Sequence, residues 1–350
     1  MRKQFALGTC LLSAAILSTN AVAFDMGKPV TTQILITKSG TNTTEKKDIV
    51  VMKRDLTPKQ RKTLFSFQPK RSGIRSNPSL PASVMLGMND VPVLDQGRHG
   101  SCVTFATTAA INAVLGKGDY VSQLCSLELG SYLENKGYMP SGWNGSFGPW
   151  VLDQYMRFGV VSKQNQLTKS CADVKEYPVN DGFSEGNPMS VDSFRDMSEN
   201  LSAKMYWYPL MNEFQRFETR YSDTDQTFKV LNQVKEALSK GNRVTFGTFL
   251  VINPYCSAGA CASFKAKQDT WALTKDIELP PFETGGHEMV IIGYDDNAFA
   301  TDNEGKKHQG LLTLRNSWGV EAGDHGNYYM TYDYFMKFAG EVQVIAEIRE

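Results

Sequence analysis

Apolar positions recur with two different periods along this chain, and the change of period divides it. Near the N-terminus, Gln33-Ile34-Leu35-Ile36-Thr37 and Asp48-Ile49-Val50-Val51-Met52 flank a polar turn with Gly40 and Asn42, which predicts a β-hairpin over residues 32–53. Two strands alone are marginal in water, so the hairpin needs a surface to pack on. Leu56 to Phe65 then reads as a helix, with Thr57 as N-cap and Pro58 at the first helical position. Residues 68–81 are rich in Ser, Pro, Lys and Arg, the composition of a linker. From Ser101 the period becomes helical: Phe105, Ala106, Ala109, Ala110, Ala113 and Val114 fall on one face, Cys102 lies in the first turn, Ser101 stands at the cap and Gly116 at the stop. Two more helices are predicted over about 127–134 and 149–158. Residues 181–226 are polar and partly helical, as over 190–205, and hold the cluster Tyr206-Trp207-Tyr208. An amphipathic helix over 227–240 ends at Gly241. Strand patterns follow over 243–252, 288–294, 311–315, 327–331 and 341–348. Helices first and strands later predict an α+β chain, with an α half packed on a β half.

The first residues form a leader rather than part of the fold. Arg2-Lys3 is basic, Phe5 to Leu17 is mostly apolar but too short to span a bilayer, and Ala21-Val22-Ala23 is a small-x-small cleavage signal. Residues 1–23 are expected to be a secretory signal peptide, which makes the protein secreted or periplasmic. Cys10 lies inside it, and Thr9 before it does not suit a lipoprotein signal. No later run approaches 18 apolar residues, so no membrane partner is expected.

Net charge is zero over 350 residues, which gives no footprint for nucleic acid. The distribution is uneven. Residues 24–89 hold 12 Lys and Arg against 4 Asp and Glu, whereas residues 90–350 hold 23 against 33. This split predicts that the basic N-terminal segment docks on the acidic body within one molecule. Release at acid pH, as body carboxylates take up protons, is the accompanying expectation.

Five cysteines remain after the leader: Cys102, Cys125, Cys171, Cys256 and Cys261. Export permits disulfides, and an odd count leaves one thiol over. Four cysteines allow three pairings. Cys256 and Cys261 bracket a small-residue loop, Ser-Ala-Gly-Ala, that suits local closure. The favoured pairing is therefore Cys256–Cys261 with Cys125–Cys171, leaving Cys102 free. No Cys-x-x-Cys pair occurs and the four histidines do not cluster at ligand spacing, so neither a metal nor another cofactor is expected.

Three distant segments carry the candidate chemistry. They are Gln96-Gly97-Arg98-His99-Gly100-Ser101-Cys102, Gly285-Gly286-His287 and Arg315-Asn316-Ser317-Trp318-Gly319. A thiol, an imidazole and an amide in that order supply a nucleophile, its base and the group that orients the base. The helix N-terminus beneath Cys102 favours a thiolate. Asn316 can hold the imidazole of His287, with Trp318 shielding that bond, and Gln96 can donate to a developing oxyanion together with the Cys102 amide. The other histidines are poorer bases: His99 is three residues from Cys102, His308 lies in the polar stretch 302–309, and His325 sits in a Gly-flanked turn.

These segments resemble the papain-like cysteine peptidases. Leu80-Pro81-Ala82-Ser83-Val84 resembles the start of the family's mature enzymes, Gln96 to Phe105 its active-site stretch, and Gly285 to Tyr294 its histidine strand. Asn316-Ser317-Trp318-Gly319 with Gly323 to Tyr328 resembles its asparagine segment. The resemblance implies a two-domain α+β fold, a helical left domain and a β-barrel-like right domain with the cleft between them. It also implies peptide-bond hydrolysis through an acyl-enzyme. Gly142 to Gly148 resembles the family's glycine-rich wall, so Gly145 and Ser146, with Gly286, are candidate substrate-backbone contacts. His99 stands where the family usually has cysteine, and Val103 where it has Trp or Tyr. The gap of 185 residues from Cys102 to His287 exceeds the ~130–150 usual in the family.

The organisation expected is a leader (1–23), a hairpin–helix segment and linker acting as a short prosegment (24–79), and a catalytic body (80–350). In the body, about 80–180 is mainly α and about 181–350 mainly β, with an insertion over 181–226. The expected activity is that of a secreted cysteine endopeptidase acting on peptide or protein substrates. Two other readings share the sequence: a catalytically weak binding or inhibitory module, and an acyltransferase using the same nucleophile.

Overall fold

The computed structural model describes residues 28–37, 44–53, 56–67, 79–138, 141–180, 188–212, 224–252, 256–278 and 283–348. The leader, the hairpin turn at Gly40 and Asn42, and most of the 68–81 linker lie outside the described residues.

The centre of the helical half is α2 (Cys102–Leu115), buried from Cys102 to Ala113 and stopped by Gly116 in the left-handed conformation (φ 63°). Its alanines let neighbours approach closely. It packs on α3 (Gln123–Asn135) and α4 (Gly148–Phe158) on one side and on the sheet on the other. Ser122 caps α3 by accepting from the Cys125 amide at 2.9 Å. Short elements close this half: β4 (Val160–Val161), α5 (Lys163–Lys169), α6 (Val191–Arg195) and β5 (Ser198–Glu199), which pairs with β4. The Cys125–Cys171 disulfide ties α3 to the loop after α5.

The second half is a mixed sheet. Its core strands are β7 (Arg243–Ile252), β10 (Glu283–Asp302), β11 (Lys307–Arg315), β12 (Asn327–Thr331) and β13 (Ala339–Glu347). The strand β6 (Met205–Asn212) is its edge beside β13, and the short β8 (Ala262–Ser263) and β9 (Thr270–Trp271) link β10 to β12. The β3 strand (Ser83–Met85) lies on the far part of β10. Alternation along β10 makes it the wall between two cores. Met289 and Ile291 join Phe246, Leu250, Leu312 and Val344 inside the sheet's own core, whereas Val290 and Ile292 join Cys102, Ala106 and Ala109 against α2. A second disulfide, Cys256–Cys261, closes the loop before β8. The α7 helix (Thr224–Ser239) is fixed to β10 by a buried pair, Lys235 to Asp296 at 2.7 Å.

The N-terminal hairpin finds its surface on this sheet. The strands β1 (Lys28–Thr37) and β2 (Thr44–Lys53) pair antiparallel throughout, and β2 continues onto β10 at Met52↔Gly286 and Lys53↔Gly285. Ile49 and Val51 are buried within the sheet's core cluster. Next, α1 (Pro58–Ser66) starts with a capping box: Thr57 accepts from the Gln60 amide and Gln60 accepts from the Thr57 amide, at 3.2 and 3.0 Å. It rests on α8 (Tyr332–Phe338), where Lys337 Nζ donates to the Phe65 carbonyl at 3.3 Å.

Two expectations are corrected. Residues 190–205 do not form one helix: α6 spans five residues, and a turn then buries Leu201 and Met205. Tyr206-Trp207-Tyr208 lies on β6, so part of the 181–226 stretch extends the sheet.

Candidate active site

Three elements meet at one point. Cys102 starts α2, His287 lies near the start of β10, and Asn316 follows β11. Cys102 is the free cysteine of the described residues and is buried. The backbone amides of Glu288, Val103 and Cys102 itself lie near enough to its sulfur to favour the thiolate. The Glu288 amide belongs to the residue after His287, so the sulfur lies beside the stretch of β10 that carries the imidazole.

The tautomer of His287 follows from its partners. Asn316 Oδ1 accepts from the Ser317 amide at 2.7 Å, which identifies that atom as the oxygen. The same atom lies 2.8 Å from His287 Nε2, so Nε2 carries the proton and donates. Nδ1 has no hydrogen-bond partner among the described residues and is left with a lone pair in a buried site. Trp318 stacks on the imidazole at 4.6 Å and 26° and keeps water from the His287–Asn316 bond.

Gln96 is tied to the asparagine loop. Its Oε1 accepts from Ser317 Oγ at 2.8 Å, its amide donates to the Ser317 carbonyl at 2.9 Å, and its Nε2 donates to the His99 carbonyl at 3.0 Å. One Nε2 proton remains for another acceptor. Ser101 does not cap α2 with its side chain as expected; its hydroxyl bonds Tyr177 at 2.9 Å. Tyr177 in turn donates to the Gln96 carbonyl at 2.8 Å and stacks on Trp143. His99 is held edge-on between Trp143 and Tyr177 and bonds the Pro178 carbonyl. It therefore braces the loop that carries Gln96. His308 pairs with Asp302 at 2.9 Å within the β10–β11 hairpin, and His325 sits in a turn at φ 50°.

The candidate backbone contacts are already covered. A Cβ placed on Gly145 would meet the Met52 side chain at 3.0 Å, one on Gly100 would meet Met52 Sδ at 3.1 Å, and Gly286 pairs with Met52 directly. Ser146 is half-buried and donates to the Phe147 carbonyl at 3.4 Å. At the other end, Lys47 of β2 bonds Asp95 and donates to the Trp318 carbonyl at 2.9 Å, while Asp48 pairs with Arg98 at 2.9 Å. Docking is thus not simply basic on acidic: one ion pair runs in each sense. The strand lies across the site from Asp95 to Gly145.

Burial decides the protonation of the covered pair. It pushes the Cys102 thiol up to about 12 and lowers His287 to about 4, so both are neutral in this form. The three amides at the sulfur act in the opposite direction but do not outweigh desolvation.

Behind the site lies a diacid that no sequence motif announces. Glu288 and Glu341 are each 1 % exposed. The Gly148 amide donates to Glu341 at 3.1 Å and Gln343 Nε2 donates to it at 3.3 Å. Burial first, and then the like charge of Glu341, hold Glu288 well above the usual carboxylate range; burial raises Glu341 to about 7. Between about pH 4.5 and 7 the native state therefore holds protons that the unfolded chain has released, and stability falls as pH rises. Glu288→Gln is expected to flatten this fall by up to about 1.4 kcal/mol per pH unit, one proton's worth. Melting temperatures of both chains at pH 5 and 8 check this; equal slopes would contradict it.

Comparison with known proteins gives folds but no closer relative. No family model matches the chain, and no curated protein matches it. Among solved structures it is similar to xylellain, a cysteine protease from Xylella fastidiosa, at 20 % identity and TM-score 0.47, over 81 % of this chain and 92 % of that one. It is similar to digestive procathepsin L 3 of Tenebrio molitor at 18 % identity and TM-score 0.45, over 85 % and 83 %. The clostridial cysteine protease Cwp84 is 15 % identical at TM-score 0.47, over 75 % and 57 %. The chain's own helices and sheet make it an α+β protein, and its likeness to these cysteine proteases is at low identity.

Proposed function

We propose that this chain is an exported papain-like cysteine endopeptidase, held in a covered form by its own N-terminal hairpin. The observation that carries this is the His287 arrangement: Nε2–H is committed to Asn316 beneath Trp318, Nδ1 is left bare, and the only free thiol of the described residues stands beside the strand residue that follows His287. Once β2 leaves and water enters, the desolvation that keeps the pair neutral falls. The helix N-terminus and the amides at the sulfur then favour thiolate with imidazolium.

The Cys102 proton passes to His287 Nδ1, and sulfur attacks the substrate carbonyl carbon. The oxyanion takes hydrogen bonds from the spare Gln96 proton and the Cys102 amide. Nδ1 returns its proton to the leaving amine as the C–N bond breaks, which leaves a thioester. Water, deprotonated by Nδ1, then releases the acid and restores the thiol. The two disulfides suit an oxidising compartment outside the cytosol.

The test uses the full chain with Lys47→Gln and Met52→Ser, which loosens β2 but keeps the buried Ile49 and Val51. Incubated with a peptide and an added amine, it is expected to yield two fragments with a new free carboxylate, and Cys102→Ala in the same chain none. Product carrying the amine would move the reading to acyl transfer; intact peptide throughout would support a binding module.

A further inference from the structure

The Lys47 site marks one end of the cleft, and it is built for a cation. Asp95 Oδ1 is fixed by the Gly97 amide at 2.9 Å, which turns Oδ2 toward the Lys47 ammonium. The Trp318 carbonyl supplies a second acceptor at 2.9 Å. Gly319 keeps the space open: a Cβ there would stand 3.0 Å from Asp95 Oδ2 and 3.2 Å from Lys47 Nζ, and its φ of 82° suits glycine. The acceptors are anchored by the ladder that holds Gln96, since Asp95 bridges to Trp318 and the Gly319 amide donates to the Leu94 carbonyl at 3.0 Å. Body groups, not the hairpin, thus build a preformed acidic notch one residue from the oxyanion donor.

Its place relative to the scissile bond follows from β2. Met52 lies at Gly145 and Gly286, the candidate substrate-backbone contacts. Lys47 is five residues away along an extended strand, roughly 17 Å at the usual rise. In the mechanism above His287 Nδ1 protonates the leaving amine, and Trp318, whose carbonyl lines the notch, stacks on that imidazole, so the notch is on the leaving-group side. We propose that Asp95 and the Trp318 carbonyl form a leaving-group-side subsite for a lysine or arginine of the substrate, which Lys47 fills in the covered form. This rests on the peptidase reading above. It makes the preferred substrate a peptide with a basic residue shortly after the cleaved bond.

The test uses the full chain with Lys47→Gln and Met52→Ser, so that the notch is vacated. Peptides of one sequence carry Lys, Gln or Glu at each of the three positions after the scissile bond. At one position, Lys is expected to exceed Gln in kcat/KM by about 10-fold, the worth of a charge-assisted, partly exposed bond, with Glu poorest. In the same chain with Asp95→Asn, which keeps an oxygen for the Gly97 amide, the Lys-to-Gln ratio is expected to fall to about 1. No lysine preference at any position, or a preference that survives Asp95→Asn, overturns the subsite. If no peptide is cleaved, the peptidase reading fails instead, and the subsite is read from protection of Cys102 against iodoacetamide. Lysine peptides should then protect better than glutamine peptides only while Asp95 is present; equal protection overturns it.

Discussion

Replacing His287 with alanine in the loosened chain is expected to lower peptide hydrolysis by about 1,000-fold or more. The proposal gives this residue two duties in one ring. In the proposed mechanism its Nδ1 takes the thiol proton and later gives it to the leaving amine, and its charge holds the thiolate. Asn316→Ala should cost less, because it frees the ring without removing it. The measurement is kcat/KM for one peptide in the three chains. A His287→Ala loss below about 10-fold would mean that another base serves Cys102. His99 is no rival, since it is committed to the Pro178 carbonyl and wedged between Trp143 and Tyr177.

Loosening β2 is the second large effect. Met52 is buried against Gly100 and Gly145, and shortening it to serine forfeits roughly 2 kcal/mol of apolar burial. Lys47→Gln removes a partly buried charged bond worth about 1–2 kcal/mol. Together they shift the covered–open equilibrium by about 100–1,000-fold. Cys102 alkylation at pH 7 should speed up by that factor in Lys47→Gln/Met52→Ser relative to the unaltered chain. Equal rates would mean that the hairpin does not guard the thiol. Deleting the whole segment is a poorer test, because Ile49, Val51 and Leu64 belong to the sheet's core.

The candidate groups that the fold gathers were legible in the sequence because each sits in a short segment with its own chemistry. Cys102 stood at a helix start with Gln96 six residues before it, and Asn316 stood beside a tryptophan. The strands over 243–252 and 327–331 were equally plain, since both are rich in β-branched and aromatic residues. What was hidden depends on distant partners. Glu288 lies in an apolar strand run, and only the pairing of β7 between β10 and β13 brings Glu341 to it. Tyr177 comes from a turn-rich stretch with no period, yet it braces both Ser101 and Gln96. The α8 helix spans only seven residues, two turns, too short for a periodic stripe to announce it. Over 190–205 the reverse occurred: polar composition suggested a helix, but burial of Leu201 and Met205 set the chain into a turn and a strand. The charge split pointed to docking of the N-terminal segment, but the contacts that hold it are particular ones, Lys47 on Asp95 and Met52 on two glycines.

The most direct measurement is the rate of Cys102 alkylation from pH 4 to 9 in the loosened chain, with and without His287→Ala. Fast labelling already at pH 5, lost in the mutant, is the expected result and marks a thiolate held by an imidazolium. Labelling that rises only above about pH 8 in both chains, as for an ordinary thiol, would contradict the account.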